Sequence, residues 1–349
     1  MRLRRSPAFV TSVLACASAL TAQLTVYDDF NGPTISNALW HAEKPLRILS
    51  QSGGLLHAKG PPSSLYGNLN STHGFRGDFE FVLDWRNFKA TTTVFKKNVP
   101  QIWLQVTDHL QSDKNFVYVS RSFNGTGQVF SGARLGGVRQ TGKSQAVTAT
   151  AGQLRITRTG SAIRTFYKVG LGWNPMQVFT SAFSGIATVQ VAAFSGDNGT
   201  FQVDSDSIQY RGQNLEPPRR YGAGCNSLRM EWDSWPVLGI KTFKIGTRGA
   251  PPLAPLLVFL GTSDKLWGAI RLPLDLSPLL APGCWLLTGI ELPTLITADQ
   301  NGFGILPLLI PRNASLTGRI VFAQCMAVNQ NANPLGLSWS DALAIKLQK

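Results

Sequence analysis

The chain has 349 residues, with 34 Gly, 20 Pro and 15% charged residues, and a formal net charge of +14. Many turn formers at low charge favour an all-β protein, and 349 residues are enough for two domains. The positive excess is shared between the two halves rather than gathered in one stripe, which argues against a nucleic-acid binder and leaves mild attraction to acidic polysaccharide or an anionic surface.

The N-terminus reads as a secretory signal over 1–22. Arg2, Arg4 and Arg5 form a basic start, and Pro7 to Ala15 is apolar but too short to span a bilayer. Small residues follow at Ala17, Ala19 and Ala22; cleavage after Ala22 leaves Gln23 first, just ahead of the first strand, and cleavage after Ala19 is the alternative. Val13-Leu14-Ala15-Cys16 offers a competing reading, a lipid anchor on Cys16. No later segment is long and apolar enough for a transmembrane helix; prolines 251, 252 and 255 break the run up to Leu260. The expected location is secreted, extracellular or on a cell surface.

Alternation marks strands through the first part of the chain. Apolar residues fall at every second position in Phe79–Trp85, at Ile102, Leu104 and Val106, at Leu154 and Ile156, and at Val189, Val191 and Ala193. Clusters such as Asn124-Gly-Thr-Gly127 and Ser195-Gly-Asp-Asn-Gly199 separate them as turns. The pattern predicts a two-sheet sandwich over 23–212. Residues 213–224, with Pro217, Pro218, Gly222 and Gly224, read as a linker that stops strand pairing. Short strands then recur at Leu256–Gly261, Trp285–Gly289, Gly304–Ile310 and Arg319–Val328, predicting a smaller sandwich over 225–349.

Beyond the signal, cysteines occur only at 225, 284 and 325. Export favours a disulfide. Cys225–Cys284 is the preferred pair of the three, because both residues follow glycine in turn-like contexts. Cys325 sits in a strand-like run and reads as a buried free thiol. Zinc is not indicated: there is no Cys-x-x-Cys, and the four histidines lie in the other domain.

Two resemblances follow from these residues. Tyr27-Asp-Asp-Phe-Asn-Gly32 with Trp40, Phe75-Arg-Gly-Asp-Phe-Glu-Phe81, Leu154-Arg-Ile-Thr-Arg-Thr-Gly160, Phe166-Tyr167, Trp173 and Val203-Asp-Ser-Asp206 resemble, in order, the concanavalin A-like lectin/glucanase superfamily, laminin-G-like members included. This implies a concanavalin-like jelly roll that holds sugars or proteins outside cells. Tyr221-Gly-Ala-Gly-Cys225, Leu272-Pro-Leu-Asp-Leu276, Pro282-Gly-Cys284 and Ile310 to Gly318 resemble a C-terminal β-sandwich module common on secreted bacterial proteins. A role in display is the expectation by analogy.

The glucanases of that superfamily carry Glu-x-Asp-x-x-Glu on one strand. Here Glu80 and Asp84 lack a third acid, and Glu231-Trp-Asp-Ser-Trp-Pro236 breaks off in Pro in the wrong domain. His41, His57, His73 and His109 are scattered, with no Ser or Cys signature beside them. Resemblance to the fold also places the first and last strands side by side, where Asp28, Asp29, Asp204 and Asp206 would suit a structural calcium; the competing reading has them capping strand ends and meeting arginines. No other cofactor is expected.

Trp103 points away from the core if Ile102 and Leu104 point in, and it is flanked by Gln101 and Gln105. An outward Trp between amides suits stacking on a sugar ring. Tyr118, Arg121 and Arg134 are expected to share its face. The expected function is thus non-catalytic binding of a polysaccharide or glycan. A glycoside hydrolase or lyase with an atypical site, and a purely structural or adhesive surface protein, are the alternatives.

Overall fold

A computed structural model of the chain describes residues 23–42, 48–61, 65–91, 99–181, 183–197, 200–241 and 243–349. The expected signal segment 1–22, with Cys16 and both cleavage points, lies outside them.

The fold is all-β, and two antiparallel sheets pack face to face as a jelly-roll sandwich in the first part of the chain. One sheet runs in the order Thr25–Asp28, Ile208–Leu215, Gly74–Thr91, Gly152–Thr159, Ala162–Lys168 and Trp173–Thr180. The other runs Trp40–His41, Tyr66–Ser71, Ile186–Phe194, Gln101–Asp108, Phe116–Asn124 and Thr126–Leu135. The alternating residues do what their period requires. Phe81, Leu83, Leu104, Val106, Val119, Leu154, Ile156 and Val191 are fully buried between the sheets, each worth roughly 1.5–3 kcal/mol over exposure. Trp40 and Trp85 are core residues as well. A hydroxyl pair, Ser131 Oγ and Thr165 Oγ1 at 2.7 Å, bridges the two sheets across this core. The far end of the 18-residue strand Gly74–Thr91 leaves the sandwich to pair with Thr200–Ser205. That strand in turn pairs with Leu55–Gly60, the second arm of a hairpin begun by Leu49–Ser52.

Residues 219–348 build a second set of strands. A five-stranded sheet runs Arg219–Tyr221, Leu337–Lys346, Ile320–Val328, Pro255–Gly261 and Leu292–Thr297. A three-stranded sheet, Arg229–Trp232, Lys244–Arg248 and Gly304–Pro307, covers one of its faces. Leu228, Met230, Ile245, Val258, Cys325 and Leu343 fill the space between the two sheets. The other face carries Phe259 and Trp339 under Leu272, Leu276 and Leu286. Cys225 and Cys284 are bonded and tie that cover down; Cys325 is a buried free thiol whose pKa burial pushes up to about 12. Two expected strands are shorter than read, Trp285–Leu286 and Gly304–Pro307; past the first, the Leu287 amide donates to the Gln324 side chain instead of a strand neighbour.

The stretch 213–224 does not run free of pairing as expected. Gln213, Asn214 and Leu215 finish a strand of the first sandwich, and Arg219–Tyr221 opens the five-stranded sheet. Only Glu216-Pro217-Pro218 separates them, because proline breaks pairing at its own position and not across a whole polar run. Leu215 then joins Ile186, Trp235 and Val237 in a small core shared by the two sets of strands. The Trp235 indole donates to the Thr72 carbonyl at 3.2 Å. Its ring lies over Gly74, where a Cβ would come within 2.7 Å of it, so glycine is what lets the Trp seat.

Candidate functional site

The outward side of the second sheet carries amides, hydroxyls and aromatics in cross-strand rows. His41, Asn70, Gln190, Gln105, Tyr118 and Gly132 stand opposite one another in one row across six strands. At about 4.8 Å per strand this row is about 24 Å long. The next row holds Asn68, Ala192, Trp103, Ser120 and Phe130, of which Trp103 and Phe130 are partly exposed and the other three buried.

Trp103 lies near the middle of this face, half-buried, as the alternation with Ile102 and Leu104 requires. Its Nε1 donates to Gln190 Oε1 at 3.4 Å, and Gln190 Nε2 donates to Asn70 Oδ1 at 2.8 Å. Tyr66, 42% exposed, places its ring 5.6 Å from the Trp103 ring at 31°. Gln101 and Gln105 flank the Trp on the same strand, and Gln105 Nε2 donates to Thr107 Oγ1 at 3.0 Å. Tyr66 was not read as a site residue from the sequence; its strand, Tyr-Gly-Asn-Leu-Asn-Ser, lacks the alternating apolar run that marks its neighbours.

Tyr118 sits on the adjacent strand, opposite Gln105 and between Phe116 and Phe130, with ring centroids 6.3 and 5.9 Å away. The three rings close over Gly132, where a Cβ would lie 2.8 Å from the Tyr118 hydroxyl oxygen. With Arg134, Arg139 and Gln140 they line a depression of about 520 Å³. Burial pushes the Tyr118 phenol up, with Arg139 acting the other way, so it stays a neutral donor. Arg134 shares this face, and its guanidinium donates to the carbonyls of Gly137 and Asp113.

Arg121 does not share it. Positions 118, 120 and 122 face outward, so 121 faces the core. Arg121 is 2% exposed, with its guanidinium 4.1 Å from the Phe88 ring centroid and 5.0 Å from that of Trp85. It donates to the carbonyls of Ser122, Gln128 and Ala149. Burial lowers its pKa to about 10.

The four aspartates expected to share a calcium are engaged elsewhere. Asp28 accepts from the Trp40 indole at 2.6 Å and from the Phe30 amide at 2.8 Å. Asp29 is exposed and caps Asn31. Asp204 is bound by His57 and Asn87, both at 2.8 Å. Asp206 meets Arg86 at 3.6 Å. The first strand pairs with Ile208–Leu215 and not with the strand of Asp204, and among the described residues no three His, Cys, Asp or Glu side chains come together as metal ligands do. Glu80 is held by Arg155 and Arg211, and Asp84 accepts from Gln153 and Ser207, each at 2.6 Å.

Comparison with known proteins gives likenesses over parts of the chain. The family model described as Foot protein 3 matches residues 187–231; that stretch begins in a strand of the first sandwich and ends in a strand of the three-stranded sheet. No curated protein matches the chain. About half of it is similar to a functionally unknown protein from Saccharomyces cerevisiae, at 11% identity over 50% of this chain and 97% of that one, with a TM-score of 0.42. A Bacillus licheniformis β-glucanase is similar at 13% identity over 55% of this chain and 100% of that one, TM-score 0.39. A legume lectin-like domain from Entamoeba histolytica is similar at 10% identity over 50% and 90%, TM-score 0.38. Nothing about activity passes from these proteins to this chain.

Proposed function

We propose that the protein binds a glycan through the outward face built around Trp103, with no reaction at that face, and that it does so outside the cell. The observation that carries this is the Trp103–Tyr66 pair set among Gln190, Asn70, Gln101 and Gln105. Aromatic faces stack on the C–H side of a sugar ring, and neighbouring amides match its hydroxyls in both donor and acceptor roles. The row of six strands gives that face the length of a short oligosaccharide, and the Tyr118 depression with Arg134 and Arg139 adds a cationic end suited to an acidic sugar. Paired-carboxylate hydrolysis needs two acids about 5–9.5 Å apart across the bond. No residue of these rows carries a carboxylate, and Glu80 and Asp84 are tied into pairs on the other sheet. The disulfide supports an oxidising compartment. In this proposal residues 23–212 are the binding sandwich and 225–349 an accessory domain.

A glycan array probed with the full chain tests this. The expected result is retention of a polysaccharide or oligosaccharide by the native protein and its loss with Trp103→Ala. Retention that Trp103→Ala leaves untouched, or no retention at all, overturns it.

A further inference from the structure

Ser52, His57 and Asp204 form a hydrogen-bonded chain that glycan binding does not use. Leu49–Ser52 and Leu55–Gly60 are the arms of a hairpin closed by Gly53 and Gly54, whose φ angles of 57° and 73° are those of a tight two-residue turn. The turn sets Ser52 at the exposed tip. The Thr200–Ser205 strand lies alongside, and its register puts Asp204 directly opposite His57. His57 Nδ1 is 2.8 Å from Asp204 Oδ1, and His57 Nε2 is 3.0 Å from Ser52 Oγ. Asp204 is 4% exposed, and its second oxygen accepts from Asn87 Nδ2 at 2.8 Å, so the carboxylate is fixed.

The proton positions follow from these partners. An ionised carboxylate only accepts, so Nδ1 carries a proton, and in the neutral ring Nε2 then presents its lone pair. The Ser52 hydroxyl is then the donor to Nε2. The Ser52 carbonyl also lies 3.1 Å from Nε2, and it can accept only once that nitrogen is protonated. Asp204 and this carbonyl therefore both favour the imidazolium that forms when Ser52 gives up its proton. The amides of Gly53 and Gly54 donate to no described residue. In acyl transfer the amide that follows the nucleophile helps to hold the oxyanion.

We infer that Ser52, His57 and Asp204 are a solvent-open hydrolytic site for small carboxylic esters, such as O-acyl groups carried on a larger molecule. Ser52 is the nucleophile, His57 the general base and then acid, and Asp204 the positioning residue. Ser52 Oγ bonds to the ester carbonyl carbon as its proton passes to His57 Nε2. The bond from that carbon to the leaving alcohol breaks, and the alcohol takes the proton. Water then attacks the acyl–Ser52 carbon and gives a proton to Nε2; the acid departs and the proton returns to Ser52 Oγ.

The test uses the full chain and a fluorophosphonate probe, with the adduct located by peptide mass mapping and p-nitrophenyl acetate hydrolysis followed in parallel. The expected adduct is on Ser52, is absent from Ser52→Ala and forms about 100-fold more slowly in His57→Gln, in line with general-base assistance. Leu171→Ala, fully exposed and outside both sites, leaves labelling unchanged. Asp204→Asn is expected to remove the low-field His57 Nδ1–H proton resonance and to slow labelling. Ser52 is exposed, so Ser52→Ala keeps the fold and its ester rate remains readable if His57→Gln does not fold. No adduct on Ser52, labelling of folded His57→Gln at the native rate, or an ester rate unchanged by Ser52→Ala overturns the inference.

Discussion

Replacing Arg121 by methionine tests whether the cation inside the first sandwich is a structural post. Met keeps the unbranched stem beside Trp85 and Phe88 and removes the guanidinium. Three carbonyls then lose their donor: those of Ser122, Gln128 and Ala149. Ser122 is 2% exposed, so its carbonyl is left dry and costs about 1–3 kcal/mol. Gln128 and Ala149 are half-buried and can turn towards water, so each loses only a net hydrogen bond of about 1 kcal/mol. The ring contacts with Phe88 and Trp85 add up to about 2 kcal/mol. Against this stands relief of the desolvation that lowers the Arg121 pKa to about 10. The balance is a destabilisation of about 2–4 kcal/mol. Urea unfolding with a fitted slope measures it, and Arg121→Lys is expected to fall in between, since one ammonium does not span three carbonyls. If Arg121→Met is as stable as the native chain, the cation is a tolerated cost and the reasoning is refuted.

Other predictions address the joins. Burial holds His73 and His109 below the ordinary histidine value of 6.5, so below about pH 6.5 the unfolded chain binds more protons than the folded one and stability falls with pH; the double variant His73→Gln/His109→Gln is expected to flatten melting temperature against pH between 7 and 5. Gly74→Val drives a side chain into the Trp235 ring and is expected to increase proteolysis between the two sets of strands, with the same pattern in Trp235→Ala. Cys225 and Cys284 close a loop of separation 59, so Cys225→Ser/Cys284→Ser is expected to cost about 4 kcal/mol in denaturant, and reduction of the native chain to match it.

Strand alternation made the sandwich legible, because burial on one face imposes a period of two that the sequence must show. It placed Trp103 outward and Trp85 inward, as the structure has them. The same rule was not carried to Arg121, three positions from Tyr118 and hence on the other face. Charge overrode parity in that reading, although three backbone carbonyls and two rings can hold a guanidinium in a core. The carboxylates were read by their order along the chain, whereas their partners come from cross-strand register. Asp28 serves Trp40, and Asp204 serves His57, 147 residues away. The Ser52–His57–Asp204 chain was invisible for that reason: no local motif encodes a pairing between a hairpin and a strand so distant in sequence. Tyr66 escaped because a strand of small and amide residues carries little hydrophobic signal.

The central claim rests on one ring, and the affinity of Trp103→Ala for the best-retained glycan tests it most directly. Losing a stacked Trp face is worth roughly 1.5–3 kcal/mol, so isothermal titration is expected to show binding about 10- to 100-fold weaker, with the melting temperature unchanged and with Arg155→Ala, on the opposite sheet, binding as the native chain does. Equal affinity for Trp103→Ala and the native chain would contradict the account.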